Sequence, residues 1–184
     1  MRLTPWLLGL LAFVATASAA QPCRIEIIEK GDGWPVPGVE LRTIHGARFV
    51  SDNAGLIAFD LPELMGRETW FTVHGHGYGV KADGFGYAGV RLTPTPGQTL
   101  KVTVERTILA RRLGRLTGAG LFAESQKLGE QLDWKESGVL GSDSVVTAEL
   151  GGKLLWFWGD TNLAHYPLGI FNVSAASTDK FTPP

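Results

Sequence analysis

From Arg24 to Glu105 the chain is cut into short β-favouring runs by clusters of Gly, Pro, Asp and Asn. That punctuation restricts it to a turn-rich β architecture. Ile25 and Ile27 alternate with Arg24, Glu26 and Lys30, and Val39, Leu41 and Thr43 alternate after the loop Gly31–Gly38. Arg48-Phe49-Val50 and Leu56-Ile57-Ala58-Phe59 flank Ser51-Asp52-Asn53-Ala54-Gly55, a hairpin-like turn in which Asn and Gly tolerate positive φ. Trp70–Val73, Ala88–Leu92 and Leu100–Val104 complete the set. Seven short strands in about 80 residues predict an all-β fold, a seven-stranded Greek-key β-sandwich. The 24 glycines and 10 prolines show no repeat, which excludes a collagen-like chain. With 44% hydrophobic and 19% charged residues the chain is globular rather than disordered.

The first twenty residues stand apart from this pattern. Arg2, the apolar run Leu7–Ala15 and the small residues Ala17-Ser18-Ala19-Ala20 have the three-part form of a secretory signal peptide, residues 1–20. The apolar run is shorter than the roughly 20 residues a spanning helix needs. The expected location is extracytoplasmic: secreted, periplasmic or cell-surface. No later stretch is long enough to span a membrane. The formal charge of the whole chain is −1, and losing Arg2 makes it −2, so nothing electrostatic favours nucleic acid as a partner. Cys23 is the only cysteine, which excludes an intrachain disulfide. Ala20-Gln21-Pro22 before it lacks the Leu-x-small pattern of lipid attachment, so a buried or unpaired thiol is expected.

Two stretches resemble known families. Pro37-Gly38-Val39-Glu40-Leu41, followed by Ser51-Asp52-Asn53-Ala54-Gly55-Leu56-Ile57-Ala58-Phe59, resembles the carboxypeptidase-regulatory-like, prealbumin-type sandwich domain, over residues 23–106. That resemblance implies a non-catalytic spacer or binding module of the kind fused to extracellular enzymes. Residues 107–117 change character: Thr107 is placed to cap a short linker helix, with Leu109, Leu113 and Leu116 on one face and Arg111, Arg112 and Arg115 around it. The three arginines read as a solvated face, with an anion or partner site as the alternative.

A second β pattern occupies residues 118–184. Val145–Leu150 and Lys153–Trp158 flank Gly151-Gly152, a two-residue hairpin signal. Val146, Ala148, Leu150, Leu155 and Phe157 share one face, and Val145, Thr147, Leu154, Trp156 and Trp158 the other. A ribbon apolar on both sides is expected to have sheets packed above and below it, as in propeller blades. Gly141-Ser142-Asp143-Ser144 and Leu154-Leu155-Trp156-Phe157-Trp158-Gly159-Asp160-Thr161-Asn162 resemble the first blade of five-bladed-propeller, glycosidase-like proteins. A propeller needs several blades of about 40–50 residues, so this expectation is of an incomplete β-propeller blade, truncated, whose partners include the remaining blades if the chain is a fragment.

The Gly-Gly turn sets the chemistry. It places Leu150 opposite Lys153, Val145 opposite Trp158 and Asp143 opposite Asp160. Directly opposed β-carbons lie about 4.5–5.5 Å apart, and like charges there repel. A shared proton, a cation or a ligand hydroxyl would offset that repulsion. Retaining glycosidases hold their two carboxyl groups about 5–5.5 Å apart, so Asp143 and Asp160 are the candidate catalytic pair. The resemblance implies that first-blade aspartates face a carbohydrate cavity, with Ser142, Thr161 and Asn162 as substrate contacts. Turn and strand-end capping by the two aspartates is the alternative. Any glycoside hydrolase-like activity would belong to a longer form, and no cofactor or metal is expected.

The remaining motifs fail on context. Gly84-Phe85-Gly86-Tyr87-Ala88-Gly89 fits G-x-G-x-x-G but precedes a strand rather than a helix. His74 and His76 alternate without an obvious third ligand. Trp34 and Trp70 read as sandwich aromatics, with sugar stacking as the alternative. The function expected is a secreted accessory or binding module for a carbohydrate or cell-surface polymer, joined to the start of a carbohydrate-active propeller. The alternative is a non-catalytic extracellular structural or adhesive β-sandwich protein.

Overall fold

Strand β1 (Cys23–Glu29) alternates buried and half-buried residues along its whole length and lies inside a four-stranded sheet. Its neighbours are β4 (Leu56–Phe59), which runs antiparallel, and β8 (Thr99–Arg106), which runs parallel, setting Ile25 opposite Leu100 and Ile27 opposite Val102. The two-residue β6 (Tyr78–Gly79) pairs with the far edge of β8. A second four-stranded sheet is antiparallel throughout, in the order β3 (Arg48–Val50), β2 (Glu40–Thr43), β5 (Thr69–His74), β7 (Gly89–Leu92). The protein is thus mainly β, as expected. The structure, a computed structural model, describes residues 21–114, 123–133, 139–163 and 173–179. The expected signal peptide, residues 1–20, lies outside them.

Both sheets feed one core. Cys23, Ile25 and Ile27 from β1, Ile57 and Phe59 from β4, Val102 and Val104 from β8 meet Leu41 from β2 and Phe71 and Val73 from β5. Phe59 is its aromatic centre, edge-on to Phe71 at 5.7 Å and tilted against Phe49 at 4.7 Å. Each fully buried side chain of this size contributes about 1.5–3 kcal/mol relative to exposure. The seven runs marked by sequence alternation each fall on a strand, and β6 is an eighth strand within residues 23–106.

The linker helix expected over 107–117 is corrected for its described part: residues 107–114 are not helical, and 115–117 lie outside the described residues. Long-range partners outcompete the local helix. Arg111 donates from Nε to buried Glu29 at 3.1 Å and stands over the Trp34 ring at 5.1 Å. Arg106 reaches the other oxygen of Glu29 at 2.9 Å. Arg112 donates to the Pro37 carbonyl at 3.0 Å, and its own amide donates to Tyr78 Oη at 3.0 Å. Arg111 and Arg112, read as part of a solvated face, are therefore clamps holding an extended strap, while Leu109 is fully exposed.

A four-residue helix, α1 (Glu124–Lys127), does occur further on, packed against β4. Glu124 accepts the Ala58 amide at 3.0 Å and Arg24 donates to Glu130 through two nitrogens at 3.0 and 3.2 Å. This cover explains why all four residues of β4 are buried, and it protects what would otherwise be an open sheet edge.

The remaining described strands form sheets of their own. β9 (Val139–Ser142) pairs with β12 (Thr161–Leu163), and β10 (Val145–Leu150), β11 (Lys153–Trp158) and β13 (Ser174–Asp179) make a three-stranded antiparallel sheet. Among the described residues none of these strands hydrogen-bonds into a sandwich sheet. Gly151 and Gly152 both have positive φ, 59° and 77°, the conformation a two-residue hairpin turn demands. The double-sided burial expected for this ribbon is not found: all six residues of β10 are exposed, Val146 to 68% and Leu150 to 70%.

Candidate functional site

The hairpin register matches the one read from the Gly-Gly turn. Leu150 faces Lys153, Thr147 faces Trp156 and Val145 faces Trp158. Beyond Val145 the ladder bends but keeps its pairing: Gly159 donates its amide to the Ser144 carbonyl at 2.9 Å, and Asp143 donates its amide to the Asp160 carbonyl at 2.9 Å. Ser142 then faces Thr161 and Asn162 faces Gly141, with an irregularity between Asn162 and Leu163. The two aspartates are thus brought together at the junction of β9–β12 with β10–β11.

Asp143 and Asp160 are both exposed. Water around both carboxylates screens the repulsion that direct opposition creates, so a counter-cation is not required for the pair to persist. Among the described residues, no group of three or more His, Cys, Asp or Glu side chains is placed to hold a metal ion. His74 and His76 are both exposed, with no third ligand among the described residues.

The flanking polar residues divide. Thr161 is buried, and its hydroxyl bonds Gly159 O and Ser174 Oγ, each at 2.8 Å, so it ties the junction together. Asn162 is half-buried in β12. Ser142 Oγ is buried and has no hydrogen-bond partner among the described residues. An orphaned buried hydroxyl costs about 1–3 kcal/mol.

Aromatic surface lies beside this junction. Trp156 and Trp158, two residues apart on β11, stack with ring centroids 6.1 Å apart and planes 7° from parallel. Trp156 Nε1 donates to Thr178 Oγ1 at 2.9 Å, which fixes its indole on the neighbouring strand β13. Sequence reading placed both tryptophans on one face, and the stack is the consequence of that shared parity.

Cys23, at the start of β1 opposite Phe59, is fully buried with a free thiol. Burial pushes its pKa up. Together the sheets and this junction define an all-β protein with a polar, tryptophan-flanked carboxylate pair. Comparison with known proteins finds no family model, curated protein or solved structure that matches the chain. Among the described residues no helix is long and apolar enough to cross a membrane.

Proposed function

We propose that this chain is an extracytoplasmic accessory module that binds a carbohydrate polymer, with the Asp143–Asp160 junction as its glycan-binding rim. In this reading residues 23–106 are a carboxypeptidase-regulatory-like Greek-key sandwich, and the strands from β9 onward are the opening blade of a glycosidase-like propeller. The sandwich reading is supported by the position of its motif residues: Ser51–Gly55 turns between β3 and β4, and Val39-Glu40-Leu41 leads into β2.

The observation that carries the glycan reading is the exposed carboxylate pair held by the Asp143–Asp160 backbone bond, two residues along the hairpin from a stacked tryptophan pair. Carboxylates accept hydrogen bonds from sugar hydroxyls, and an indole offers the flat apolar surface that a pyranose ring covers. The role is binding rather than turnover, since an exposed pair lacks the water-excluding enclosure that raises a general acid's pKa. Native gel electrophoresis through gels containing soluble polysaccharides tests it. Retardation in at least one glycan, reduced about tenfold or more in affinity by Asp143→Asn with Asp160→Asn, supports the reading. Unchanged retardation in the double variant refutes it. The adhesive alternative draws support from one observation, the uncovered apolar residues of β10.

A further inference from the structure

The outer face of the β3–β2–β5–β7 sheet carries a second site. Alternation along β5 sends Phe71 and Val73 into the core and leaves Trp70 half-buried on the other side. On β7, Arg91 lies opposite Trp70 and Gly89 lies opposite Thr72. The indole rests directly on Gly89: a β-carbon there would fall 2.5 Å from Trp70 Cζ2 and 2.6 Å from Cε2. Any side chain at 89 would displace the ring, so glycine at this strand position is what lets a tryptophan lie flat on the sheet.

Around the indole stand three polar groups on a fixed frame. The exposed Arg91 guanidinium carbon stands over the Trp70 ring, 5.6 Å from its centroid and at the outer limit of cation–π range, on a side chain that a stacking ligand would displace from the ring face. Asp83 accepts the amides of Phe85 and Tyr87 through one carboxylate oxygen, both at 2.9 Å, while its own amide donates to the Tyr87 carbonyl at 2.9 Å. Those bonds rigidify the loop and present Tyr87, 65% exposed, beside the indole. Trp70, Asp83, Tyr87 and Arg91 line an open cleft of about 300 Å³, at the small end of ligand-site volumes.

We infer that this cleft binds a neutral pyranose unit of a polysaccharide, stacked on Trp70 and hydrogen-bonded by Asp83, Tyr87 and Arg91. The ring's electron-rich face meets the weakly positive C–H face of the sugar, and the three polar side chains supply both donors and acceptors for its hydroxyls. Arg91 also faces Glu68 at 3.9 Å, so two carboxylates, Asp83 and Glu68, stand near one guanidinium. A uronate would therefore gain Arg91 only by approaching Asp83, and a neutral sugar is the better fit. Pre-fixed aromatic and loop groups keep the ordering cost of binding low.

This site rests on its own residues and is separable from the Asp143–Asp160 rim. Native gels of the full chain containing mixed-linkage β-glucan, xylan or galactomannan, with polygalacturonate as the charged comparison, provide the test. In the Asp143→Asn, Asp160→Asn background, where the rim no longer contributes, the expected result is retardation by a neutral glycan, abolished by adding Trp70→Ala and weakened about fivefold to tenfold by adding Tyr87→Ala or Arg91→Ala, two exposed positions whose loss leaves the core intact. Asp143→Asn with Asp160→Asn should leave the Trp70-dependent part in place. Retardation that survives Trp70→Ala, Tyr87→Ala and Arg91→Ala in that background overturns the inference, and so does loss of all retardation on Asp143→Asn with Asp160→Asn alone. A preference for polygalacturonate, or no retardation by any of the neutral glycans, overturns it as well.

Discussion

Ser125 donates its backbone amide to Asp52 Oδ2 at 2.7 Å, joining residues 73 positions apart, and its hydroxyl bonds the same oxygen. Asp52 is buried in the turn between β3 and β4, and its other carboxylate oxygen accepts the amides of Ala54 at 2.9 Å and Leu56 at 3.1 Å. One carboxylate thus closes a local turn and anchors the chain that follows the sandwich.

Replacing Asp52 with Ala strands three buried or part-buried amides at once. Each unsatisfied group costs about 1–3 kcal/mol, so Asp52→Ala is expected to destabilise the protein by at least about 3 kcal/mol. Ser125→Ala removes only the hydroxyl and should cost about 1 kcal/mol. Urea denaturation of both single variants and the double variant checks this, because the second substitution should cost little once the first is made. Additive losses would show that Ser125 and Asp52 do not share one interaction.

Acid should act through Glu40. Burial alone would raise its pKa, but hydrogen bonds from Arg48 and then Arg42 outweigh it and hold the carboxyl below the usual glutamate range. Arg42 Nε and Arg48 Nε both reach it at 2.7 Å. A depressed folded-state pKa gives stability that is present above the unfolded value, about 4.3, and lost as pH falls through the folded one. Glu40→Gln is therefore expected to cost about 1–3 kcal/mol at pH 7. Its deficit relative to the natural protein should shrink below about pH 4. Thermal melts at a series of pH values measure that gap, and a gap constant across the series contradicts the assignment.

The Cys23 thiol should be inert until the protein opens. It is enclosed by the core at the start of β1, and its raised pKa keeps it as a thiol at neutral pH, whereas the thiolate is the reactive form. Maleimide labelling at pH 7 is expected to be at least about tenfold slower in buffer than in denaturing urea. Equal rates would place Cys23 outside the core.

Which of these features a reader of the sequence can see depends on how local their causes are. The Asp143–Asp160 pairing was legible because a two-residue Gly-Gly turn fixes register by itself, and the same alternation located the sandwich strands. The parallel β1–β8 pairing was not, since alternating residues read the same beside a parallel or an antiparallel neighbour. Residues 107–114 misled because Leu109 and Leu113 sit at helical spacing, while the groups that hold the strap, Glu29 and the Pro37 carbonyl, are more than 70 positions away. Glu124 and Ser125 carry no local signal of their burial for the same reason: their partners are Ala58 and Asp52. The Trp70 cleft depends on Gly89 one strand away, a juxtaposition that strand-by-strand alternation does not reveal.

Strand β10 should govern self-association. It forms one edge of the β10–β11–β13 sheet among the described residues, and Val145, Val146 and Leu150 are all largely exposed on it. An edge of this kind offers unpaired backbone groups and apolar side chains together, which is the usual starting point for strand-to-strand association. A lysine is the residue that natural edge strands use to block such pairing, because joining a second strand would bury its charge. Val146→Lys is therefore expected to lower concentration-dependent association without lowering the melting temperature of the sandwich, whose core lies in other strands. Sedimentation velocity over a range of concentrations reads this directly. The natural chain should shift toward larger species as concentration rises, and Val146→Lys should stay monomeric over the same range. A natural chain that is monomeric throughout would mean that the exposed β10 residues are tolerated singly, and the adhesive reading would lose the observation on which it stands.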